Sequence, residues 1–533
     1  MQGGQRIESL LEASVARSPS ALAVRDESGA CSYAELDALS HRIAAALLRL
    51  GVGPGDRVAL LARNRAQSVA LYFAAARIDA VLVPLNWRLA PLEQAWILEH
   101  CRARVLFAEA GFARALDASA TSELERFVFD EPVEGWRAFD ELVASDGTAP
   151  RTVEAARADA VDLPAVQMYT SGTTGRPKGA MLTHRNVSAM TAAWLADMPL
   201  DGARSRFLQV TPLFHVGGML MTMSVIAAGS ELHLLAQFDP ALALDALERE
   251  RITHTLMVPA MVQWCLTEHA HRPVRFPHLE LMAYGAAPMP VPTLLRAMEV
   301  FECSFLQGYG LTETAGVLLT LTPQDHRWPR DEPAPARLAS AGRAVACSQV
   351  RVVDEQGRDV KPCAAERGIA GAAQVGEIIA RGANVMPGYD RDPQASADAL
   401  ADGWLRTGDL AWVDEEGYVY VVDRRKDMLL VGGENVYPRE VENVLLALPE
   451  VADAAVIGVP HETWGEEPLA FVVSRGDSAP DARALIRRCR EQLARYKCPS
   501  RIEFIAALPR NSAGKLQKNL LREPYWRGRS RRV

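Results

Sequence analysis

Residues 169–179 read Tyr-Thr-Ser-Gly-Thr-Thr-Gly-Arg-Pro-Lys-Gly. This short segment combines glycines, aliphatic hydroxyl side chains and two cations. Glycines let a backbone turn its N–H groups inward, hydroxyls add donors, and cations balance negative charge, which together suit the binding of a phosphate. The residues predicted to contact phosphate are Thr170, Ser171, Gly172, Thr173, Thr174, Gly175 and Lys178.

Neither of two common nucleotide signatures fits these glycines. A Walker A loop requires a second glycine five positions after the first, and the position five after Gly172 is Pro177. A dinucleotide fingerprint requires a third glycine after Gly-x-Gly, and Gly310 is followed by Leu-Thr-Glu. A nucleotide would therefore be held in another way.

A second candidate site lies at residues 308–314, which read Gly-Tyr-Gly-Leu-Thr-Glu-Thr. Mg²⁺ on a triphosphate prefers one or two carboxylates plus phosphate oxygens, and Glu313 offers such a carboxylate. Tyr309 offers a ring face for adenine, and Thr312 offers a hydroxyl for phosphate. Taken alone, the segment also fits an ordinary turn with an exposed glutamate.

Short apolar runs alternate with amphipathic stretches through the first 320 residues, which predicts parallel sheets covered by helices. Residues 32–50 form the clearest predicted helix, with a capping box of Ser32 and Glu35 and a stop at Gly51. Small residues after a strand leave room for a flat ligand at the sheet edge; here they are Gly285, Ala286 and Ala287. The predicted strands are 57–62, 80–85, 104–108, 165–169, 207–210, 254–258 and 281–284.

The second half of the chain changes character. Residues 322–337 are proline-rich and polar, residues 340–425 carry short strand runs, and an α/β pattern returns after residue 425. Pro438 begins a predicted helix. The predicted fold class is α/β, with a large N-terminal domain of parallel sheets covered by helices plus a β-rich subdomain, and a small α+β C-terminal domain.

The bulk composition excludes several classes of protein. At 533 residues the chain is too long for one ordinary domain, and 49% hydrophobic with 23% charged residues is typical of a soluble globular protein. The net charge of −8 gives no reason to expect nucleic acid. Without an apolar signal core or an apolar run near ~18–20 residues, we expect a cytoplasmic protein with no stable membrane insertion. The basic tail, 526–533, is interpreted as a solvated end, with membrane contact as the alternative.

These motifs, in this order, resemble those of an acyl-CoA synthetase of the adenylate-forming superfamily, over nearly the whole chain. The resemblance implies ATP-dependent activation of a carboxylic acid to an acyl-adenylate, followed by transfer to CoA, with ATP, Mg²⁺ and CoA as cofactors and substrates. It leaves two alternatives open: a stand-alone adenylation enzyme that loads a carrier protein, and an adenylate-binding relative that is not a catalyst. The oligomeric state, including a homodimer, is also open.

The resemblance assigns roles in the nucleotide site. It gives Glu313 to Mg²⁺, Tyr309 to adenine and Thr312 to phosphate, as the residue types suggest. It places adenine against residues 285–287. It gives the ribose hydroxyls to Asp409, with Arg424 as a second ribose contact.

The resemblance also implies a moving part. Lys515, in Pro-Arg-Asn-Ser-Ala-Gly-Lys, matches the catalytic lysine that bridges the acyl carboxylate and the α-phosphate. It lies in the small domain, so it must be delivered by rotation about a hinge at Lys426. The implied domains are residues 1–425 and 426–533. His215 is grouped with Lys515, Thr312 and Glu313 as catalytic, but as a gate between acyl pocket and thiol tunnel rather than as a general base.

The pockets for CoA and for the acid are the last assignments. The CoA contacts implied are Gly432, Gly433, Glu434 and Trp464, although Trp464 also fits a core or interface position. An apolar pocket suits a fatty or aromatic acid, whose length the sequence does not give. Its predicted lining is Val216, Met219, Gly308, Val317 and Leu318.

Two observations bear on the alternatives. Adenylation domains for α-amino acids carry an aspartate near the segment of His215, and residues 214–217, Phe-His-Val-Gly, contain none. Retention of Glu313, Asp409, Lys426 and Lys515 argues against a non-catalytic relative.

Three features depart from the family pattern: Asp390 where an aromatic is frequent, Val431 where a small polar or basic residue is common, and a longer insert at 361–374.

Overall fold

The computed structural model describes residues 4–116, 124–144, 158–170, 177–365, 374–425, 427–432, 434–476, 479–510 and 516–527. Several predicted site residues and the end of the basic tail lie outside these ranges. They are Ser171, Gly172, Thr173, Thr174, Gly175, Lys426, Gly433, Lys515 and residues 528–533. Within the described residues, no helix has the combination of length and apolar character needed to cross a bilayer.

A nine-stranded sheet carries residues 281–321. Its six inner strands run parallel, and antiparallel strands close both edges. In spatial order the strands are β16 (Arg343–Ala344), β15 (Leu319–Leu321), β14 (Ser304–Tyr309), β13 (Leu281–Gly285), β12 (His254–Met257), β10 (Arg206–Gln209), β11 (Glu231–Leu234), β1 (Leu22–Asp26) and β2 (Gly29–Ser32).

An eight-stranded sheet carries the strands on either side of the predicted phosphate loop. Most of its strands are parallel, and two antiparallel strands lie at one edge. In spatial order they are β19 (Gly388–Tyr389), β9 (Lys178–Thr183), β8 (Pro164–Thr170), β4 (Val81–Pro84), β3 (Arg57–Leu61), β5 (Ala103–Ala108), β6 (Glu125–Val128) and β7 (Arg137–Ala138).

Helices pack on these sheets, and the largest core cluster combines strands of both sheets with helices near the N-terminus and after the phosphate loop. The prediction of parallel strands covered by helices is confirmed. The helices are α1 (Ile7–Arg17), α2 (Tyr33–Arg49), α3 (Ala66–Arg77), α4 (Pro91–Cys101), α5 (Ala110–Ala115), α6 (Phe139–Ala144), α7 (His184–Asp197), α8 (Val216–Ala228), α9 (Pro240–Arg249), α10 (Pro259–His271), α11 (Val291–Phe301), α12 (Pro393–Ala399), α13 (Pro438–Leu446), α14 (Ala482–Gln492) and α15 (Lys518–Trp526).

Helix α2 shows how local sequence sets these elements. The Ser32 hydroxyl accepts from the Glu35 N–H, and the Glu35 carboxylate accepts from the Ser32 N–H, which completes the predicted capping box. Gly51 follows the helix with a φ of 75°, where a side chain would be strained. The predicted helix at Pro438 is α13, and proline occupies its first turn.

The β-rich subdomain and the C-terminal α+β region were both predicted. The first is an antiparallel sheet of β17 (Ser348–Val353), β18 (Gly376–Gly382), β20 (Leu405–Val413) and β21 (Val419–Arg424). The second contains β22 (Leu429–Val431), β23 (Glu434–Val436), β24 (Val451–His461), β25 (Gly465–Ser474) and β26 (Arg501–Phe504). The boundary predicted after residue 425 falls between β21 and β22.

Strand β9 was not predicted and changes the setting of the phosphate loop. β8 and β9 are antiparallel neighbours, so residues 171–177 connect the two arms of a hairpin. Helix α7 begins only after β9, with Thr183 as its N-cap. The loop is therefore held by two strands, and a helix N-terminus does not follow it directly.

Candidate active site

The base of the phosphate loop is held by strand pairing and one tight glycine. Thr170 lies opposite Lys178, and Tyr169 lies opposite Gly179. A Cβ on Gly179 would lie 2.5 Å from Gln167 Nε2 and 3.3 Å from the Tyr169 ring. The glycine therefore lets the β9 backbone lie directly over the side chains of β8.

Lys178, predicted to bind phosphate, and Glu313, predicted to bind Mg²⁺, both contact the side chain of Tyr389. The Lys178 ammonium lies 5.3 Å from the centroid of the Tyr389 ring, within range of a cation–π contact. The Tyr389 hydroxyl donates to Glu313 Oε1 at 2.8 Å. Burial, and then the Glu313 charge, raise the pKa of Tyr389, so its hydroxyl stays protonated and able to donate. Tyr389 was not among the predicted site residues.

One oxygen of the Glu313 carboxylate is not used by the described residues. Glu313 lies in the short 3₁₀ turn Thr312–Thr314 that follows β14, and its backbone carbonyl accepts from the Met386 N–H at 2.9 Å. None of the described residues donates a hydrogen bond to the second carboxylate oxygen, Oε2. The described residues contain no group of three His, Cys, Asp or Glu side chains placed so that they could hold a metal ion. This donor set fits Mg²⁺ shared with phosphate oxygens rather than a cage made by protein alone.

The predicted adenine and ribose residues are also in contact. The Tyr309 hydroxyl donates to Asp409 Oδ2 at 2.6 Å. Arg424 Nε lies 3.4 Å from Asp409 Oδ1, because β20 and β21 place these two residues opposite each other. Burial, and then the Asp409 charge, raise the pKa of Tyr309 well above its ordinary value. The Asp409 carboxylate, which is predicted to bind ribose, is thus oriented by one hydroxyl and one guanidinium.

The small residues Gly285, Ala286 and Ala287 lie at the carboxyl end of β13, where Gly285 is the last strand residue. Gly285 lies opposite Gly308, and a Cβ on Gly285 would lie 2.1 Å from the Gly308 carbonyl oxygen. Ala286 has a φ of 63° and is exposed, and Ala287 is partly exposed. The strand therefore ends in an open edge without bulky side chains, which suits a flat ring.

The residues predicted to line the acid pocket divide between two core clusters. Met219 and Val317 are buried in the largest cluster, and Val216 packs against it. Leu318 is fully buried in a different cluster, with residues of the β-rich subdomain. Gly308 is partly exposed, and a Cβ on it would lie 3.1 Å from Trp194 and 3.2 Å from Val317.

Trp194 closes the space behind Gly308 and was not predicted. It is fully buried on α7, and its Nε1–H has no partner among the described residues. The only sequence signal was a tryptophan on the helix after the phosphate loop.

His215 lies at the start of α8, where its carbonyl accepts from the Met219 N–H at 2.9 Å. Its ring centroid lies 5.3 Å from that of Phe214, and the Phe214 ring meets Trp87 edge-on at 6.3 Å. His215 is half-buried within this aromatic group.

The described CoA residues, Gly432, Glu434 and Trp464, are exposed on the small C-terminal region. Gly432 has a φ of 61°, and its N–H donates to the Trp464 carbonyl at 2.8 Å. A Cβ on Gly432 would lie 2.8 Å from the Trp464 ring, which is 55% exposed. Trp464 is therefore a surface residue rather than a core residue.

Two departures from the family pattern have a structural explanation. Asp390 Oδ1 lies 2.9 Å from Arg57 Nη2, and Asp390 Oδ2 accepts from Gln167 Nε2 at 3.3 Å. These partners compensate a carboxylate whose side chain is only 10% exposed. Val431 packs with Leu429 and Val436 in a small apolar cluster, so its side chain lies beneath the exposed turn.

The chain matches known families and proteins over most of its length. The sequence model of the AMP-binding enzyme family matches residues 11–390, and that of the AMP-binding enzyme C-terminal domain matches residues 440–515. An indoleacetate–CoA ligase of Aromatoleum aromaticum is 37% identical over 509 residues, 95% of each chain. A fatty acid–[acyl-carrier-protein] ligase of Streptomyces coeruleorubidus is 36% identical over 520 residues, 97% of this chain and 95% of that protein.

Solved structures show the same fold. The o-succinylbenzoate coenzyme A synthetase of Bacillus subtilis, in complex with ATP and magnesium ion, superposes with a TM-score of 0.80 at 29% identity and covers 96% of this chain and 98% of its own. Fold and site together define an adenylate-forming enzyme. The chain belongs to the AMP-binding enzyme family, among its AMP-forming acid–CoA ligases.

Proposed function

We propose that this enzyme activates a fatty or aromatic carboxylic acid with ATP and transfers the acyl group to CoA. One observation carries the proposal: Tyr309 at the end of β14 and Glu313 in the turn that follows it reach different partners. Tyr309 contacts the Asp409 carboxylate at 2.6 Å, while Glu313 contacts Tyr389, whose ring lies against Lys178. Groups suited to ribose, metal and phosphate therefore surround one segment in the order in which ATP presents them.

In the first step, a carboxylate oxygen of the acid attacks the α-phosphorus of ATP. The bond from that phosphorus to the bridging oxygen breaks, and pyrophosphate leaves. Lys178, Thr312 and the predicted catalytic Lys515 offset the charge that develops on the phosphoryl oxygens. Glu313 Oε2 and the phosphate oxygens would hold Mg²⁺, which when bound neutralises phosphate charge.

In the second step, the small C-terminal domain rotates about Lys426, withdraws Lys515 and presents the turn of Gly432, Gly433 and Glu434. The CoA sulfur attacks the acyl carbon, the bond from that carbon to the phosphate oxygen breaks, and AMP leaves. The thiol proton passes to solvent. Trp464 offers an exposed ring beside Gly432 for the pantetheine arm, and His215 gates the thiol path.

The acid is proposed to be apolar and without an α-amino group. Val216, Gly308 and Val317 present aliphatic or backbone surface, and Trp194 lies behind Gly308. A pocket of this kind gains from burying an alkyl chain or an aromatic ring. No carboxylate occurs at residues 214–217 to bind an ammonium group.

A carrier-protein thiol is the second candidate acceptor, because one relative with 36% identity is a fatty acid–[acyl-carrier-protein] ligase. Both candidates share the first step and differ only in the thiol. The distinction between them belongs to the second half-reaction.

The test is a panel of arylacetates, cinnamates and medium- and long-chain fatty acids with ATP and Mg²⁺. Pyrophosphate and AMP release are measured with and without CoA, and Lys515→Ala serves as the control for contaminating hydrolysis. CoA-dependent AMP release with one acid class supports the proposal. Pyrophosphate release that CoA does not change supports the carrier alternative, and no release with any acid contradicts both.

A further inference from the structure

Tyr389 lies on β19, a two-residue strand at the edge of the eight-stranded sheet. It lies opposite Ala180 of β9, and the next residue, Asp390, donates its N–H to the Gly179 carbonyl at 2.8 Å. The backbone on both sides of Tyr389 is thus tied to the strand that leaves the phosphate loop. The direction of its side chain is set by this pairing.

The segment before Tyr389 holds the turn that carries Glu313. Asn384 Nδ2 donates to the carbonyls of Thr314 and Val317, each at 3.1 Å. The Met386 N–H donates to the Glu313 carbonyl at 2.9 Å. Residues 384–390 therefore connect the turn that carries Glu313 to β9, the strand that follows the phosphate loop.

The Tyr389 side chain lies between a cation and a carboxylate. Its ring faces the Lys178 ammonium at 5.3 Å, and its hydroxyl donates to Glu313 Oε1 at 2.8 Å. Within the described part of the chain, Lys178 and Glu313 form no ion pair with each other. A direct pair would neutralise both groups and make them less available to a phosphate and a metal ion.

We propose that Tyr389 is a positioning residue that keeps Lys178 and Glu313 close but separate. Its hydroxyl occupies Glu313 Oε1 and fixes the rotation of the carboxylate, which leaves Oε2 for the metal ion. Its ring fixes the Lys178 ammonium toward the phosphates. This inference rests on the proposed function, because it takes Glu313 as the Mg²⁺ ligand. Partners of metal ligands in other proteins contribute about 10–100-fold to metal affinity.

The test measures binding rather than turnover. α,β-Methylene ATP, which cannot transfer its adenylyl group, is titrated by calorimetry at several Mg²⁺ concentrations. Tyr389→Phe keeps the ring and removes the hydroxyl. We therefore expect the apparent affinity for Mg²⁺ to fall about 10-fold, while the affinity for the nucleotide without Mg²⁺ stays unchanged. Tyr389→Leu removes both contacts, so the metal-free affinity should also fall.

Two further variants separate the possible failures. Tyr418→Phe is the matched control, because it also removes a hydrogen bond from a tyrosine to a carboxylate, the 2.6 Å contact to Asp325, but outside the site. It should leave Mg²⁺ dependence unchanged. Glu313→Gln tests the metal ligand itself: retention of wild-type Mg²⁺ dependence would overturn the assignment of Glu313.

Loss of Mg²⁺ dependence in Glu313→Gln, with wild-type behaviour in Tyr389→Phe, would overturn the role of Tyr389 alone. Equal weakening of metal-free and Mg²⁺-dependent binding in Tyr389→Phe would show a general structural defect and would also overturn it. A Mg²⁺-specific loss in Tyr389→Phe, with a normal Tyr418→Phe, supports the proposal.

Discussion

The close approach of β13 and β14 depends on the absence of a single side-chain carbon. Gly285 and Gly308 lie opposite each other, and the missing Cβ of Gly285 allows its backbone to approach the Gly308 carbonyl. The two strands are interior members of the nine-stranded sheet and pair with further strands on both outer sides. Little backbone movement is available there to admit an extra carbon.

Gly285→Ala should therefore be strongly destabilising. Its Cβ would lie 2.1 Å from a backbone oxygen, so we expect a loss of about 3 kcal/mol in the free energy of unfolding. Urea denaturation measures the difference. Gly53→Ala is the matched control, because nothing lies within 4 Å of its Cβ, and its effect should stay below about 0.5 kcal/mol. Equal midpoints for the two variants would contradict the steric argument.

At the residue scale, the sequence identified side chains that lie in short motifs and missed those defined by distant contacts. Tyr309 and Glu313 stand four positions apart, and their chemistry is visible in one segment. Tyr389 contacts Glu313 across 76 positions, and nothing local to Gly-Tyr-Asp indicates that contact. Trp194 acquires its place only when α7 packs behind β14, which local residue patterns do not encode.

At the scale of elements, one buried charge cluster ties α15 to its surroundings. Lys518, whose side chain is 10% exposed, lies 2.7 Å from Glu442 of α13 and 4.0 Å from Asp423 of β21. Arg522 of α15 lies 2.9 Å from Asp427. Asp423 and Asp427 flank the proposed hinge at residue 426, so the helix that follows the Lys515 segment is anchored on both sides of it.

Lys518→Met should destabilise the small C-terminal region. The substitution leaves the Glu442 carboxylate, 2% exposed, without its main cation, and breaking a buried pair in this way costs about 3–5 kcal/mol. Chemical denaturation followed by circular dichroism measures the loss. Arg488→Met removes one partner of an exposed pair and should cost less than about 1 kcal/mol. A Lys518→Met midpoint equal to that of Arg488→Met would show that the cluster adds no stability.

Several interior strands were predicted because their residues form apolar runs, as expected where both faces of a sheet are covered. Two other interior strands, β11 and β14, were not predicted, because polar residues interrupt their apolar runs. β9 escaped prediction because its residues, Lys-Gly-Ala-Met-Leu-Thr, follow a glycine-rich loop and precede a helix. Its strand conformation depends on β8 and β19, one on each side.

At the scale of the whole molecule, three buried histidines make stability depend on pH. Burial lowers the pKa of His184 to about 3 and those of His254 and His326 to about 4. Each is neutral in the folded protein and takes up a proton near its ordinary pKa of about 6.5 when the chain unfolds. Their contribution is therefore fully present above pH 6.5 and is lost as the pH falls toward 4.

Asp423 acts in the opposite direction. Burial raises its pKa to about 6 despite the attraction of Lys518, so its contribution is present below its ordinary value of 3.8 and is lost as the pH rises through 6. As the pH falls from about 6.5 to about 4, the stability lost through the three histidines exceeds the stability gained through Asp423. Each histidine contributes a slope of about 1.4 kcal/mol per pH unit.

The net prediction is a loss of stability on acidification from pH 7 to pH 4.5, measured as the urea midpoint at each pH. His184→Gln should flatten the profile, because the glutamine oxygen can accept the Ile7 N–H as His184 Nδ1 does, but does not titrate. A profile that His184→Gln leaves as steep as in the parent protein would contradict the assignment to this residue.

The ion pair of Arg57 and Asp390 has a consequence for recombination between related enzymes. The two residues stand 333 positions apart, and each side chain is largely buried. An aromatic residue at position 390 would leave the Arg57 guanidinium without its carboxylate. A chimera that takes position 57 from this chain and such an aromatic residue at position 390 from a relative therefore buries an uncompensated charge. The residues at positions 57 and 390 must therefore be inherited together to keep the pair intact, although most of the chain lies between them.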